Sequence, residues 1–237
     1  MTAGMATISG NMFVLYATIL APVVPDTAGN LMTASLISAP AAIAIAALLV
    51  PGTDKHTSAG LSIQTGNFTG SIDAIISGTL DGVKLVVSVA ATLVVAVALV
   101  SMLNQLFELL AAVGSETLSL QRLLGWAMAP VAWLLDIPWS EALTAGELMG
   151  TKIILNELIT YLDLAALPAG TLSPHSHLIL TYALCGFANL GGLGILLGGL
   201  GVMVPERRAD IFALGPRSLL AGNLAGFLTG AVVALID

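Results

Sequence analysis

The chain has 237 residues, 57% hydrophobic and only 9% charged, where a soluble globular protein carries about 25% charged residues. Its net charge of −7 offers no basic patch for nucleic acid, and a single cysteine, Cys185, excludes an intramolecular disulfide or a cysteine zinc cluster. No Asp, Glu, Lys or Arg occurs in 1–25, 27–53, 85–107, 164–205 or 218–236. These gaps match the about 20 apolar residues needed to cross a bilayer, so the chain reads as an all-α, polytopic integral membrane protein.

The first span is expected over roughly Met5–Val24, closed by Pro22, Pro25 and Asp26. Within it, Ala6-Thr-Ile-Ser-Gly-Asn11 is polar. Its oxygens are hard donors suited to a small cation, and interhelical hydrogen bonding explains them equally well. Leu31–Val50 is the second span, with Pro40 inside it and Pro51-Gly52 at its end. Thr53–Gly70, rich in Thr, Ser and Gly, is the clear loop. Ser71–Leu80 reads as an amphipathic lead-in with Ile72, Ile75, Ile76 and Leu80 on one face, followed by a long helix over Gly82–Val113. Leu85–Val100 is apolar or small all round, without the polar stripe of a soluble core helix.

Leu118–Leu135 carries Gln121, Arg122, Trp126, Pro130 and Trp133, a composition suited to a helix lying in the membrane interface. Ser140–Leu167 is helical in pattern but holds Glu141, Glu147, Lys152, Glu157 and Asp163. Its arms on either side of Asn156-Glu157 are each too short to cross, so a re-entrant helical hairpin with a buried tip fits it best. An ionised carboxylate at membrane depth costs about 2.5–3.5 kcal/mol on insertion scales. Glu157 at that tip, beside Asn156, is therefore a candidate ligand contact; the competing reading is a structural Glu157 paired with Lys152 or with a helix outside the chain.

His177–Val204 is the next expected span and is rich in glycine, which weakens a helix by about 1 kcal/mol per residue relative to Ala. It is either a broken helix presenting backbone groups to a substrate or ion, or one packed closely through Gly194-x-x-x-Gly198. Arg217–Ile236 is the last span. His175-Ser-His177 lacks a nearby third donor for a metal, Cys185 reads as a small apolar filler, and no placed nucleophile points to an enzyme. Lys55, Lys84, Arg207, Arg208 and Arg217, five of the seven basic residues, fall on one side, which the positive-inside rule makes cytoplasmic. The hairpin mouth, the interfacial helix and the C-terminus then lie outside. A chain that opens inside an apolar stretch, with no Lys or Arg before Lys55, also reads as lacking an N-terminal portion.

Gly150-Thr-Lys-Ile-Ile-Leu-Asn-Glu157, Leu172-Ser-Pro, Thr181-Tyr-Ala-Leu-Cys-Gly-Phe-Ala-Asn189, Gly198-Gly-Leu-Gly and Pro205-Glu-Arg-Arg-Ala-Asp210 occur in that order. Upstream stand Met1-Thr-Ala-Gly-Met-Ala-Thr-Ile-Ser-Gly10, Thr33-Ala-Ser-Leu-Ile-Ser-Ala-Pro40 and Ile72-Asp-Ala. Together they closely resemble the C-terminal half of the concentrative nucleoside transporters, over essentially the whole chain. The resemblance implies a nucleoside symporter coupled to Na+ or H+, without a cofactor, homotrimeric when full length and multi-pass in a bacterial inner membrane. It also implies an inverted-repeat fold in which a transport domain moves elevator-like against a scaffold.

By the same resemblance, Glu157 would hold ribose hydroxyls with Asn156 supporting it, Asn189 would meet the ribose, and Phe187 would pack near the base. Gly192 stands where many relatives carry a serine that touches the sugar, and His175 where Arg is more usual. Asn11 and Met12 match a sodium site that uses a side-chain oxygen and a neighbouring carbonyl. The implied organisation assigns 1–50 to two spans closing the first repeat, 51–81 to a cytoplasmic loop and lead-in, and 82–113 to a scaffold span. Residues 114–139 form the interfacial helix, and 140–237 the re-entrant hairpin plus two spans of the transport domain. A first hairpin carrying the rest of the site is expected upstream. A non-transporting nucleoside-binding or regulatory membrane module is the alternative function.

Overall fold

A computed structural model describes residues 1–52, 69–109 and 118–236. The described residues form α-helices and one 3-10 turn, with no strand among them. In chain order these are α1 (Thr2–Ala6), α2 (Gly10–Leu20), α3 (Thr27–Leu49), α4 (Ser71–Glu108) and α5 (Leu120–Leu134). Then follow α6 (Trp139–Ile154), α7 (Glu157–Ala166), α8 (Pro174–Ala183), α9 (Leu190–Met203), the 3-10 turn Pro205–Arg207 and α10 (Arg208–Ala234). Thr2–Leu20, Thr27–Leu49 and Arg208–Ala234 are long and apolar enough to cross a membrane.

The first span is not one helix. Ser9 takes extended backbone and caps a new helix at Gly10, separating α1 from α2. The amide of Ile8, freed by the break, donates to Ser35 Oγ on α3 at 3.3 Å, as a backbone donor away from water requires. The second span starts at Thr27 rather than Leu31, because Asp26 turns the chain in left-handed conformation (φ 45°) and helical backbone begins directly after it.

No boundary separates a lead-in from a long span. α4 runs unbroken through Gly82 for 38 residues, or about 57 Å at 1.5 Å per residue. Ile72, Ile75, Ile76 and Leu80 are all exposed on it. Asp73 secures its start by accepting from both the amide and the hydroxyl of Thr69. Of the loop expected at Thr53–Gly70, residues 53–68 lie outside the described residues, as do the expected helix end at Val113 and the start of the 114–139 segment. The last span begins at Arg208, nine positions before the expected Arg217, and carries Pro216 in its interior. A charge-free run marks only the apolar part of a helix; its first turns carry Arg208, Asp210 and Arg217 in regular helical backbone.

α5 packs along α6 through small side chains. Ala129 and Ala132 of α5 and Ala142 and Ala145 of α6 are buried. A Cβ on Gly146 would come within 2.5 Å of the Gly125 carbonyl oxygen, so the two backbones can approach this closely only because Gly146 has none. Trp126 and Trp133 remain exposed on the outer side. The main core joins α2, α3, α6, α7 and α8 through Tyr16, Leu31, Met149, Tyr161 and Leu180.

Candidate functional site

The expected hairpin segment is a pair of helices meeting at Leu155-Asn156. Asn156 is extended (φ −169°, ψ 173°) and its Oδ1 accepts from the Ile159 amide at 2.9 Å, capping α7. Glu157 therefore occupies the first position of α7, where the helix dipole favours a carboxylate. It is 2% exposed.

The glycine-rich segment is broken rather than one continuous helix. α8 ends at Ala183 and α9 begins at Leu190. Between them Gly186 has φ 138°, and a Cβ there would meet the Ala6 carbonyl oxygen at 2.6 Å. The second break is thus pressed against the first, and only glycine permits both the angle and the approach. Asn189 caps α9: its Oδ1 accepts from the Gly192 amide at 2.6 Å.

These pieces converge on Glu157. Asn189 Nδ2 donates to Oε2 at 2.8 Å and the Tyr16 hydroxyl donates to Oε1 at 2.6 Å. Bonds to an ionised acceptor are the strong class. Tyr16 is itself held by Tyr161, with ring centroids 5.1 Å apart, and Tyr161 donates to the Thr181 carbonyl at 2.9 Å. Both Glu157 oxygens are thereby oriented.

Glu157 lines a cavity of about 550 Å³. Leu99, Val100 and Leu103 of α4, with Leu158, Leu190 and Ile195, make most of its wall apolar. Met12, Asn156, Glu157, Phe187, Asn189 and Gly192, all singled out from sequence, line it together. Asn11 does not. Its side chain is exposed and its Oδ1 accepts from the Ser9 hydroxyl at 2.7 Å, so Asn11 and Met12 face different surroundings.

A Cβ at Gly192 would run into the Phe187 carbonyl oxygen. That oxygen accepts the Asn189 amide at 2.8 Å, so the turn in this chain is wound around a missing side chain. The Lys152 ammonium donates to Asn223 Oδ1 at 3.1 Å, and its charge also acts on Glu157. His175 lies 3.3 Å from Asp136, and both His175 and His177 line a separate crevice of about 350 Å³. Cys185 is fully buried. A further opening of about 610 Å³ between α1, α3 and α10 contains Arg217 and otherwise small or apolar residues; the converging polar groups lie at the other cavity.

Tyr16 was missed from sequence. A phenol inside a charge-free span, one helical turn beyond Met12, was the available signal. The α4 wall had none, being uniformly apolar.

A family model described as "Na+ dependent nucleoside transporter C-terminus" matches residues 30–234. The "Uncharacterized transporter YutK" of Bacillus subtilis is 33% identical over 239 residues, covering 99% of this chain and 58% of the relative. "Nucleoside permease NupC" of Helicobacter pylori is 35% identical over 241 residues, covering 99% and 56% respectively. The mouse "Sodium/nucleoside cotransporter 1" is 30% identical over 254 residues, covering all of this chain and 38% of the relative. Among solved structures, CNTnw in an inward-facing substrate-bound state superposes with a TM-score of 0.81 at 34% identity, covering 99% of this chain and 55% of that one. A single-substitution variant of CNTnw in an intermediate 2 state gives 0.84 at 35% identity, covering 99% and 56%. The chain therefore spans a little over half the length of these bacterial relatives.

Proposed function

This chain belongs to the Na+-dependent nucleoside transporter family, and from that premise we propose that it supplies the C-terminal part of a cation-coupled nucleoside symporter. As a multi-pass membrane protein it works in a bilayer, here assigned to a bacterial inner membrane, and takes nucleosides inward. Na+ is the coupling ion of choice, on the names of relatives such as the mouse sodium/nucleoside cotransporter. A homotrimer is the proposed assembly of the full-length protein, and the α6–α7 pair its re-entrant hairpin. The transport domain (1–50 and 140–237) is proposed to move elevator-like against a scaffold that includes α4.

The observation that carries the reading is Glu157: a buried carboxylate, oriented by two donors, facing a cavity of about 550 Å³. Small-molecule sites typically measure about 300–1,000 Å³ and combine apolar walls with a few placed polar groups. A nucleoside matches that division. Its ribose hydroxyls can donate to the Glu157 carboxylate, with Asn156 and Asn189 beside it, while Phe187 and the apolar wall take the base. The sugar must give up its hydration to enter, so a site built to accept hydroxyls discriminates against analogues lacking them.

No observation favours a binding module without transport, and the relatives' names are those of a transporter, a permease and a cotransporter. Uptake of radiolabelled uridine and adenosine into vesicles bearing the gene product tests the reading. Saturable uptake driven by an inward Na+ gradient is expected; its absence with both nucleosides contradicts it.

A further inference from the structure

Lys152 has no exposed surface. It lies in the last turn of α6, and its ammonium reaches across to α10, where it donates to Asn223 Oδ1 at 3.1 Å. Asn223 is 5% exposed. Its Nδ2 donates to the Ala188 carbonyl at 2.9 Å and the Leu219 carbonyl at 3.0 Å. The amide is thereby fixed, oxygen toward the cation and nitrogen toward the turn.

Ala188 immediately precedes Asn189, which holds Glu157. The contacts therefore close a circuit. It runs from Lys152 on α6 to Asn223 on α10, to the α8–α9 turn, to Glu157 on α7, and back to Lys152 through the α6–α7 junction. α10 has little freedom to slide within it: a Cβ at Gly222 would meet the Met5 Cβ at 2.7 Å and the Ala188 Cβ at 3.1 Å. Neither Lys152 nor Asn223 lines the cavity. A buried cation is tolerated where its charge and hydrogen bonds are compensated; here the circuit brings it into one network with the buried carboxylate.

We propose that Lys152 and Asn223 form a clamp that keeps the α6–α7 junction in register with the α8–α9 turn, making both positioning residues for nucleoside capture at Glu157. The inference rests on the cavity being the nucleoside site. Transport requires the junction and the turn to present Glu157 and Asn189 together, and the clamp joins the two elements that carry them.

Asn223→Asp separates the two halves of the clamp. Aspartate keeps an acceptor for Lys152 but has no N–H for the Ala188 carbonyl. In vesicles bearing the full gene product, its KM for uridine is expected to rise about tenfold, with Vmax within about twofold of wild type. The paired variant Lys152→Met with Asn223→Leu removes both halves of the clamp without stranding the buried ammonium, and a KM rise at least as large is expected. Glu157→Gln run alongside separates the two failures. If Glu157→Gln loses uptake while Asn223→Asp keeps the wild-type KM, the clamp is overturned and the site stands. If Glu157→Gln is unaffected, the site itself is wrong. A fall in Vmax at unchanged KM for Asn223→Asp also overturns the clamp. Should the paired variant not be recovered from membranes, Asn223→Asp decides alone.

Discussion

Tyr16 and Glu157, 141 positions apart in the chain, meet in a buried hydrogen bond of 2.6 Å, with the phenol as donor. The bond links α2, which also brings Met12 to the cavity, to the first residue of α7. It makes the direction of the carboxylate depend on a helix outside the α6–α7 pair.

Tyr16→Phe deletes this donor with almost no change in volume. Hydrogen bonds to charged groups contribute about 1.5–3 kcal/mol, so nucleoside affinity is expected to fall by about ten- to a hundredfold. Asn189 keeps its bond to Oε2, so binding weakens without vanishing. Calorimetric titration of uridine into purified protein, wild type against Tyr16→Phe, measures the difference.

Gly192 carries a different expectation. Adding a hydroxyl at this position, where the family resemblance implies a serine, would ordinarily be read as restoring a sugar contact. Here a Cβ at 192 collides with the Phe187 carbonyl oxygen, which displaces the turn bearing Phe187 and Asn189. Gly192→Ser and Gly192→Ala are therefore both expected to raise the KM for uridine, by similar factors. A lower KM for the serine variant alone would show that the hydroxyl gain outweighs the displacement.

The far end of the fold has its own electrostatic tie. Glu141, in the first turn of α6 and outside the three spanning stretches, accepts from the Ser173 amide at 3.1 Å and the Ser173 hydroxyl at 3.2 Å. Burial pushes its carboxyl up, but hydrogen bonds from Ser176 and Ser173, with His177 nearby, outweigh it and hold the carboxyl below its ordinary value of 4.5. A depressed folded-state pKa stabilises the fold above the ordinary value and loses that contribution as pH falls through the folded one. The melting temperature of Glu141→Gln should thus lie below wild type at neutral pH and converge with it below pH 4.5.

Sequence carried much of this because membranes penalise charge. Glu157 and the glycines around Asn189 stood out as costly within apolar stretches, and six of the seven residues singled out for substrate or cation line the cavity together. What escaped was whatever hydropathy does not encode. The break at Thr7–Ser9 costs little in composition, since Ser35 on another helix compensates it. α4 continues through Gly82 because one glycine weakens a long helix without ending it. Tyr16 and Asn223 are ordinary residues until α7 and the α8–α9 turn are folded against them. Proximity in sequence likewise did not reveal that α10 would offer Asn223 to Lys152.

The most direct measurement is uridine binding and uptake by Glu157→Gln in the full gene product. The glutamine keeps the size of the side chain and removes the anion that Tyr16 and Asn189 orient. Uptake reduced by about a hundredfold or more, with the protein still recovered folded from membranes, is the expected result for a carboxylate that accepts ribose hydroxyls. Wild-type affinity and uptake in that variant would contradict the assignment of the cavity at Glu157 as the nucleoside site.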